Sequence, residues 1–485
     1  MHPVDLTIFI VYIISMMGIG VYFHLRNKSL DDFYVGGRKM GSWHIGFSVV
    51  ATDVGGGFSI GLGGLGFAIG LAGSWMLFTG LLGAWLSAVF LIPKIKKLSD
   101  KKNLYTFPQI FETFYDKRVA IAAGLISAIG YLGFTSSQLL AGAKLASATF
   151  EGLGLQHALI LMGAVAVGYT VLGGLKAVIY TDTLQWIILL SGLIFIGIPI
   201  AYVKTGGLEG LTKVLEPGFI SLTNISAATF INWLVTILPV WFVGMTLYQR
   251  IYASKSVRQA RKAWYIAGLF EWPVMAFMGV LLGMFARVAF ENGMFQQAGF
   301  VSGAGFDPEM GLPLLLRHIL PFGLMGLLLS AYFSAILSTA DSCLIAASGN
   351  LMTDILEKIF PGKRSDQKVL LYSKLLTLAV GLLALGIALR MTEVLQLMLY
   401  SYAIMVSGLL IPVLALLIFR KPSTGGALGA MIAGGSVTII LSFYESLLPW
   451  GLAANIFGIL SAILTYLIIH LLTHKTPLKH ENQIL

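Results

Sequence analysis

An all-α polytopic membrane protein of about thirteen transmembrane helices is the fold this chain predicts, and three observations carry the prediction. Hydrophobic residues make up 57% of its 485 positions and charged ones only 11%, far from the balance of a water-soluble domain. Apolar segments of about 20 residues, the length that crosses a bilayer as a helix, recur along the whole chain. Lysine and arginine concentrate in alternate connections between those segments, as they do in loops on the cytoplasmic side of a membrane.

The spans are expected at 4–24, 42–70, 73–95, 118–148, 157–178, 180–203, 228–250, 260–286, 321–348, 368–389, 393–419, 425–445 and 451–473. The first follows a charge-poor start and lacks a cleavage-site pattern, so it is read as a retained span. One set of connections carries Arg26 to Lys39, Lys94 to Arg118, Lys176, Arg250 to Lys262, Lys358 to Lys368, Arg420 with Lys421, and finally Lys475 and Lys479. The other set has Lys204, Lys213, Arg287, Arg317 and Arg390. This asymmetry places the N-terminus outside and the C-terminus in the cytoplasm, which requires an odd number of spans. It also accounts for the net charge of +10 without a nucleic-acid partner. The connections at 287–320 and 349–367 are long enough for short helices and too short for a folded domain, so residues 1–485 read as one membrane domain.

Two spans are expected to be interrupted. The second contains Ala51-Thr-Asp-Val-Gly-Gly-Gly57, where each glycine costs helix stability roughly 1 kcal/mol relative to alanine, and Asp53 sits at the break. The seventh contains Pro239 within Ile237-Leu-Pro-Val-Trp-Phe-Val-Gly244, where the ring removes a backbone bond. Loose glycine packing explains either one singly. Their positions, five spans apart, fit two inverted five-helix repeats, 42–203 and 228–419, whose broken first helices meet at mid-membrane and supply free carbonyls and amides. Spans 4–24, 425–445 and 451–473 are then peripheral.

The ninth span carries an oxygen ladder. Ser330, Ser334, Ser338 and Ser342 recur every fourth residue on one helix stripe, with Thr339 and Asp341 beside its lower end. Small residues also make packing seams between transmembrane helices. A seam needs no carboxylate, however, and burying one costs roughly 3 kcal/mol, so the stripe points to a hard cation such as sodium, which prefers oxygen ligands.

Several motifs, in order along nearly the whole chain, resemble the sodium:solute symporter family. They are Phe33-Tyr-Val-Gly-Gly-Arg38, Ala51-Thr-Asp-Val54, Tyr105-Thr-Phe-Pro-Gln109, Gly173-Gly-Leu-Lys-Ala-Val-Ile-Tyr-Thr-Asp-Thr-Leu-Gln185, Gln249-Arg250 with Ala253-Ser-Lys-Ser256, and Ser334-Ala-Ile-Leu-Ser-Thr-Ala-Asp-Ser342. The resemblance implies a LeuT-type fold and a transported sodium ion held by the carbonyls of Ala51, Val54 and Ala335 and the hydroxyls of Ser338 and Thr339. Some relatives hold a second ion, whose matching residues here are Asp182, Ser338, Asp341 and Ser342, so one or two coupling ions are implied.

The solute is read from acids within the spans. Glu271 in the eighth span is costly enough to need a cationic or hydrogen-bonded partner, and sugar-carrying relatives can offer a lysine on this helix. Asp53 matches an acid of proline-carrying members. The choline-carrying branch resembles Val54-Gly-Gly-Gly57 and Ala340-Asp-Ser342, but has an aromatic where this chain has Asp53. Both acids favour a solute with a positive group, such as an amino acid; the alternatives are that Glu271 pairs internally or is protonated and that Asp53 organises the helix break by accepting backbone amides. Gly55 and Gly56 at the break, with Phe134, Gln138, Trp241 and Tyr402 on core helices, complete the expected solute lining. Lys144 is expected to snorkel towards the outer surface.

The function expected is sodium-driven uptake of a small polar solute across the cytoplasmic membrane, with proton coupling, or a sugar or carboxylate as cargo, as alternatives. An integral membrane enzyme or redox protein is disfavoured because the eight histidines fall at span ends or in loops and no nucleophile with a supporting base emerges. A sensor would add a cytoplasmic domain. Cys343, the single cysteine, excludes an intrachain disulfide. Oligomeric state is left open, a monomer included.

Overall fold

Hydrocarbon offers no hydrogen bonds to a free backbone, so a chain this apolar closes its amides and carbonyls within helices. The computed structural model describes residues 2–26, 35–53, 55–172, 175–300, 305–362 and 366–473, and apart from one isolated bridge between Met40 and Ser254 its regular elements are helical. The principal helices are α1 (Pro3–Arg26), α2 (Ser42–Asp53), α3 (Gly55–Ile69), α4 (Trp75–Phe90), α5 (Lys117–Thr149), α6 (Leu155–Leu172), α7 (Leu175–Gly192), α8 (Ala227–Val243) and α9 (Met245–Ala253). They continue with α10 (Val257–Leu269), α11 (Ala276–Glu291), α12 (Pro308–Ile319), α13 (Leu324–Gly349), α14 (Asp366–Ala388), α15 (Val394–Ile418), α16 (Thr424–Ser442) and α17 (Ala454–Thr473). Side-chain acceptors start several of them: Asp116, Ser226, Ser256, Asp307 and Ser423 take amides of the first turn in α5, α8, α10, α12 and α16.

Among the described residues, nine helices are long and apolar enough to cross a membrane, or ten when α8 and α9, bent by 42°, count as one. The bundle is organised around α13. Its apolar stretch is 100% buried, against 22% for α17, and it packs on α1, α3, α5, α7 and α14. Close approach elsewhere depends on glycine: a side chain at Gly66 would collide with the Val280 backbone, and one at Gly283 with the Gly63 carbonyl, so α3 and α11 cross backbone to backbone.

Four expectations are corrected. The seventh span is discontinuous as expected, but at Gly244, whose extended backbone (φ −70°, ψ 113°) turns the chain into α9, and not at Pro239, which α8 accommodates. The 349–367 connection, expected to hold short helices, instead continues α13 as far as Ile359 with Asn350 and Asp354 buried; Asn350 Nδ2 donates to Ser127 Oγ at 2.7 Å. Arg250, expected among the loop cations, is fully buried. Lys144 does not snorkel: it is 1% exposed, with Nζ 2.6 Å from Asp307 Oδ2 and 2.5 Å from Glu309 Oε2.

Glu309 also accepts the amides of Val394 and Leu395, each at 2.9 Å, so one carboxylate joins α5, the start of α12 and the start of α15. Removing one member of a buried ion pair leaves the other uncompensated. Lys144→Met is therefore expected to cost about 3 kcal/mol, read as a lower unfolding temperature, with part regained when Glu309→Gln is added. An unchanged unfolding temperature in the single variant would show that water already answers these charges.

Candidate functional site

Where α2 stops at Asp53, the chain restarts at Gly55 with φ +48°, a conformation that costs glycine least. The same residue has a packing reason to lack a side chain, since a Cβ there would sit 2.8 Å from Thr339 Oγ1. The break thus lies directly against α13. Thr339 Oγ1 is 3.0 Å from the Ala335 carbonyl of its own helix, a common back-bond, and 2.9 Å from the Ala51 carbonyl across the helix gap. Three oxygens converge there on a single hydroxyl proton, the kind of donor set that suits a hard monovalent cation. Val54, the fifth member of the expected ion set, lies outside the described residues.

Ser338 turns elsewhere. One residue along a helix is a rotation of about 100°, so while Thr339 faces the break, Ser338 faces α7 and its hydroxyl donates to Asp182 Oδ1. Asp182 Oδ2 accepts from Ser48 Oγ at 2.5 Å and lies 3.7 Å from Arg250 Nη2. The guanidinium continues the network, donating through Nη2 to Thr52 Oγ1 at 2.7 Å and Ser342 Oγ at 2.9 Å, and through Nε to Ser48 Oγ at 3.2 Å. Of the expected second-ion residues, then, Asp182, Ser338 and Ser342 are joined through Arg250. Asp341 is within electrostatic range of Asp182 but bonds elsewhere: one oxygen accepts from Thr170 Oγ1 and the other is buried without a hydrogen-bond partner. The ladder's upper members leave the site as well, Ser330 back-bonding to the Gly326 carbonyl and Ser334 lying buried beside the Tyr12 hydroxyl.

At the second break, the freed backbone groups are taken by tyrosines rather than left open. Tyr131 Oη accepts the Thr246 amide at 3.0 Å, and Tyr248 Oη donates to the Phe242 carbonyl at 2.7 Å. The expectation that both breaks offer free polar backbone is thereby corrected for α8 and α9.

A third interruption escaped the sequence reading. Between α10 and α11 a π-type turn spans Phe270–Met275, with Trp272 in an extended conformation (φ −137°, ψ 123°); Pro273 was the available signal. Glu271 sits in this turn, fully buried, and its carboxyl faces that of Asp53. Gly80 of α4 makes room for it, because any side chain there would collide with Glu271 Oε2 and approach Trp241 Nε1 to 3.7 Å. Asp53 apart, both Glu271 oxygens and the Trp241 indole nitrogen are buried without hydrogen-bond partners. Neither Asp53 nor Glu271 forms an ion pair with a described basic residue. Two carboxyls in contact inside a low-dielectric interior need a cation or a proton between them.

The remaining expected lining residues divide. Tyr402 is within electrostatic range of both carboxyls and meets Phe134 edge to face at 5.2 Å between ring centres. Gln138 is buried one turn further along α5, with Nε2 3.4 Å from Ser137 Oγ. Gly56 is in the first turn of α3. The residues missed were Arg250, Ser48, Thr52 and Thr170, of which Thr52 and Arg250 lay within quoted motifs.

Comparison with known proteins places this geometry. The high-affinity proline transporter PutP of Bacillus subtilis (strain 168) is 27% identical over 462 residues, covering 92% of this chain and 94% of that protein. The sodium/proline symporter of Escherichia coli (strain K12) is 28% identical over 446 residues, covering 90% and 87%. Among solved structures, the substrate-bound outward-open state of a Na+-coupled sialic acid symporter superposes with a TM-score of 0.78 at 22% identity, over 97% of this chain and 98% of that one. That likeness is one of fold, and the fold is the LeuT type expected from the motifs. The model of the sodium:solute symporter family matches residues 33–434. With most of its length in that match, the chain belongs to the sodium:solute symporter family, and is a sodium-coupled membrane transporter rather than an enzyme.

Proposed function

We propose that the chain imports an amino acid such as proline together with sodium by alternating access. The observation that carries the solute class is the contact of Asp53 with Glu271 beside Gly80 and Trp241, two buried acids that no described basic residue answers. A solute ammonium answers both. The proline-carrying relatives support the same class. The proposed architecture is about thirteen spans, with 42–203 and 228–419 as inverted repeats, in the cytoplasmic membrane with the N-terminus outside.

Sodium is assigned to the carbonyls of Ala51, Val54 and Ala335 with the Thr339 hydroxyl, beside which Ser338 holds Asp182. Entering from outside, it bridges α13 to the α2 break and fixes Asp53 for the solute. Inward movement of one charge is worth about 2.3 kcal/mol per 100 mV, or roughly 50-fold accumulation. Arg250 already supplies a positive charge to Asp182, which supports one coupled sodium over two. Asp182, Asp341 and Ser342 then hold the Arg250 network and its surroundings in register.

The paired acids also suit a shared proton, which keeps proton coupling as the second reading. Uptake that persists in sodium-free buffer and follows pH would decide for it. Under the sodium reading, the sodium dependence of uptake has a Hill coefficient of about one. Ser338→Ala with Thr339→Ala is expected to raise the sodium concentration for half-maximal uptake by about tenfold or more, while membrane insertion is retained. Unchanged sodium affinity would reduce the ladder to a packing seam. Glu271→Gln is expected to weaken a cationic solute by roughly 10- to 100-fold, measured as the half-saturating concentration, and a neutral one far less. Equal losses for both would remove the charge argument.

A further inference from the structure

Directly after α4 the chain forms an amphipathic helix, Ile92–Lys102, that buries Ile92, Ile95, Lys96 and Ser99 and turns Lys94, Lys97, Lys101 and Lys102 outward. These four lysines line a cavity of about 940 Å³ between this helix, the short helix Pro108–Phe114 and the end of α15 at Leu416. The acids nearby are already engaged: Asp100 with Lys96 at 2.7 Å, and Glu112, itself on the cavity wall, with Lys358 at 2.8 Å. Among the described residues Lys97, Lys101 and Lys102 make no ion pair. The cavity therefore carries unanswered positive charge.

A second cavity of about 550 Å³ shares Pro93 and Lys94 with the first. Lys94 stands at the junction, its Nζ donating to the Leu417 carbonyl at 2.8 Å. Beyond that lysine the second cavity is walled by hydrocarbon, including Leu86, Val89, Phe90, Phe242, Leu414 and Ile418. Phe90 is 60% and Ile418 70% exposed, on the surface that a bilayer covers. A cationic cup thus opens into an apolar groove where the spans end, at the level at which lipid headgroups meet their tails.

We propose that this pair of cavities is a binding site for an anionic phospholipid, with its phosphate among Lys97, Lys101 and Lys102 and an acyl chain along the Phe90 and Ile418 groove. Both volumes fall within the range of small-molecule sites, about 300–1,000 Å³. A free phosphate compound would leave the groove unused, and a choline headgroup would bring a second cation to the lysines. The lysine-bearing face is the cytoplasmic one in the orientation proposed above, the side on which membranes present anionic lipid.

The test uses the full-length purified protein, stripped of lipid in neutral detergent, without sodium or solute, so its outcome is independent of the transport reading. Unfolding temperature is followed against phosphatidylglycerol, phosphatidylcholine with the same acyl chains, glycerol phosphate and inorganic phosphate. Phosphatidylglycerol alone is expected to raise it. In the combined variant Lys97→Gln, Lys101→Gln and Lys102→Gln, the half-saturating lipid concentration rises about tenfold or more. These side chains are exposed, and the variant without lipid unfolds as the parent does. Equal stabilisation by phosphatidylcholine, the full effect from either phosphate compound, or an undiminished response of the variant would each overturn the site.

Discussion

A helix interrupted inside a bilayer has to find partners for the amides and carbonyls it releases, and nearly everything at the centre of this molecule follows from how that requirement is met. At the junction of α8 and α9 the requirement is met internally, by Tyr131 and Tyr248. At the junction of α2 and α3 it is met across a gap, by the Thr339 hydroxyl reaching the Ala51 carbonyl. The first arrangement is closed and stabilises a bend. The second leaves oxygens facing one another with one proton among them, the donor type that suits an alkali ion. The positive φ of Gly55 and its missing side chain let α3 restart close enough to α13 for the contact to exist.

Arg250 sets a second constraint. A guanidinium in the interior is tolerated when its donors are taken and its charge is answered, and here Ser48, Thr52, Ser342 and Asp182 do both. The network draws on α2, α7, α9 and α13, so it ties the helix before the break to the helix after the bend. It also spends Ser342 and Asp182 on an internal cation.

The sequence made the membrane class, the α2 break and the hydroxyl ladder legible because each is a local signal: composition, a glycine run, a four-residue repeat. Bounds of α5, expected at 118–148 and found at Lys117–Thr149, were legible for the same reason. Misreadings came where a local signal met a distant partner. Pro239 reads as a break, yet α8 absorbs it and the turn falls at Gly244. Lys144 reads as a cation seeking water, but Glu309 lies 165 residues away in sequence and within reach in space. Asp53 and Glu271 were each singled out as costly acids, while their contact depends on the turn at Phe270–Met275 and on Gly80, neither of which announces a neighbour. Ser338 and Thr339 were assigned together, although adjacent residues on a helix look in different directions.

One consequence lies in the length of α13. Continued through Ile359, it is a rod of 36 residues, about 54 Å long, and longer than the bilayer core is thick. From Thr339 to Lys358 is about 28 Å, so a pivot of five degrees at Thr339 swings the far tip by about 2.5 Å. At that tip Lys358 grips Glu112, on the wall of the lysine-lined cavity. The rod is a lever arm: a small tilt where it meets the α2 break becomes a larger displacement beside the lysine-lined cavity.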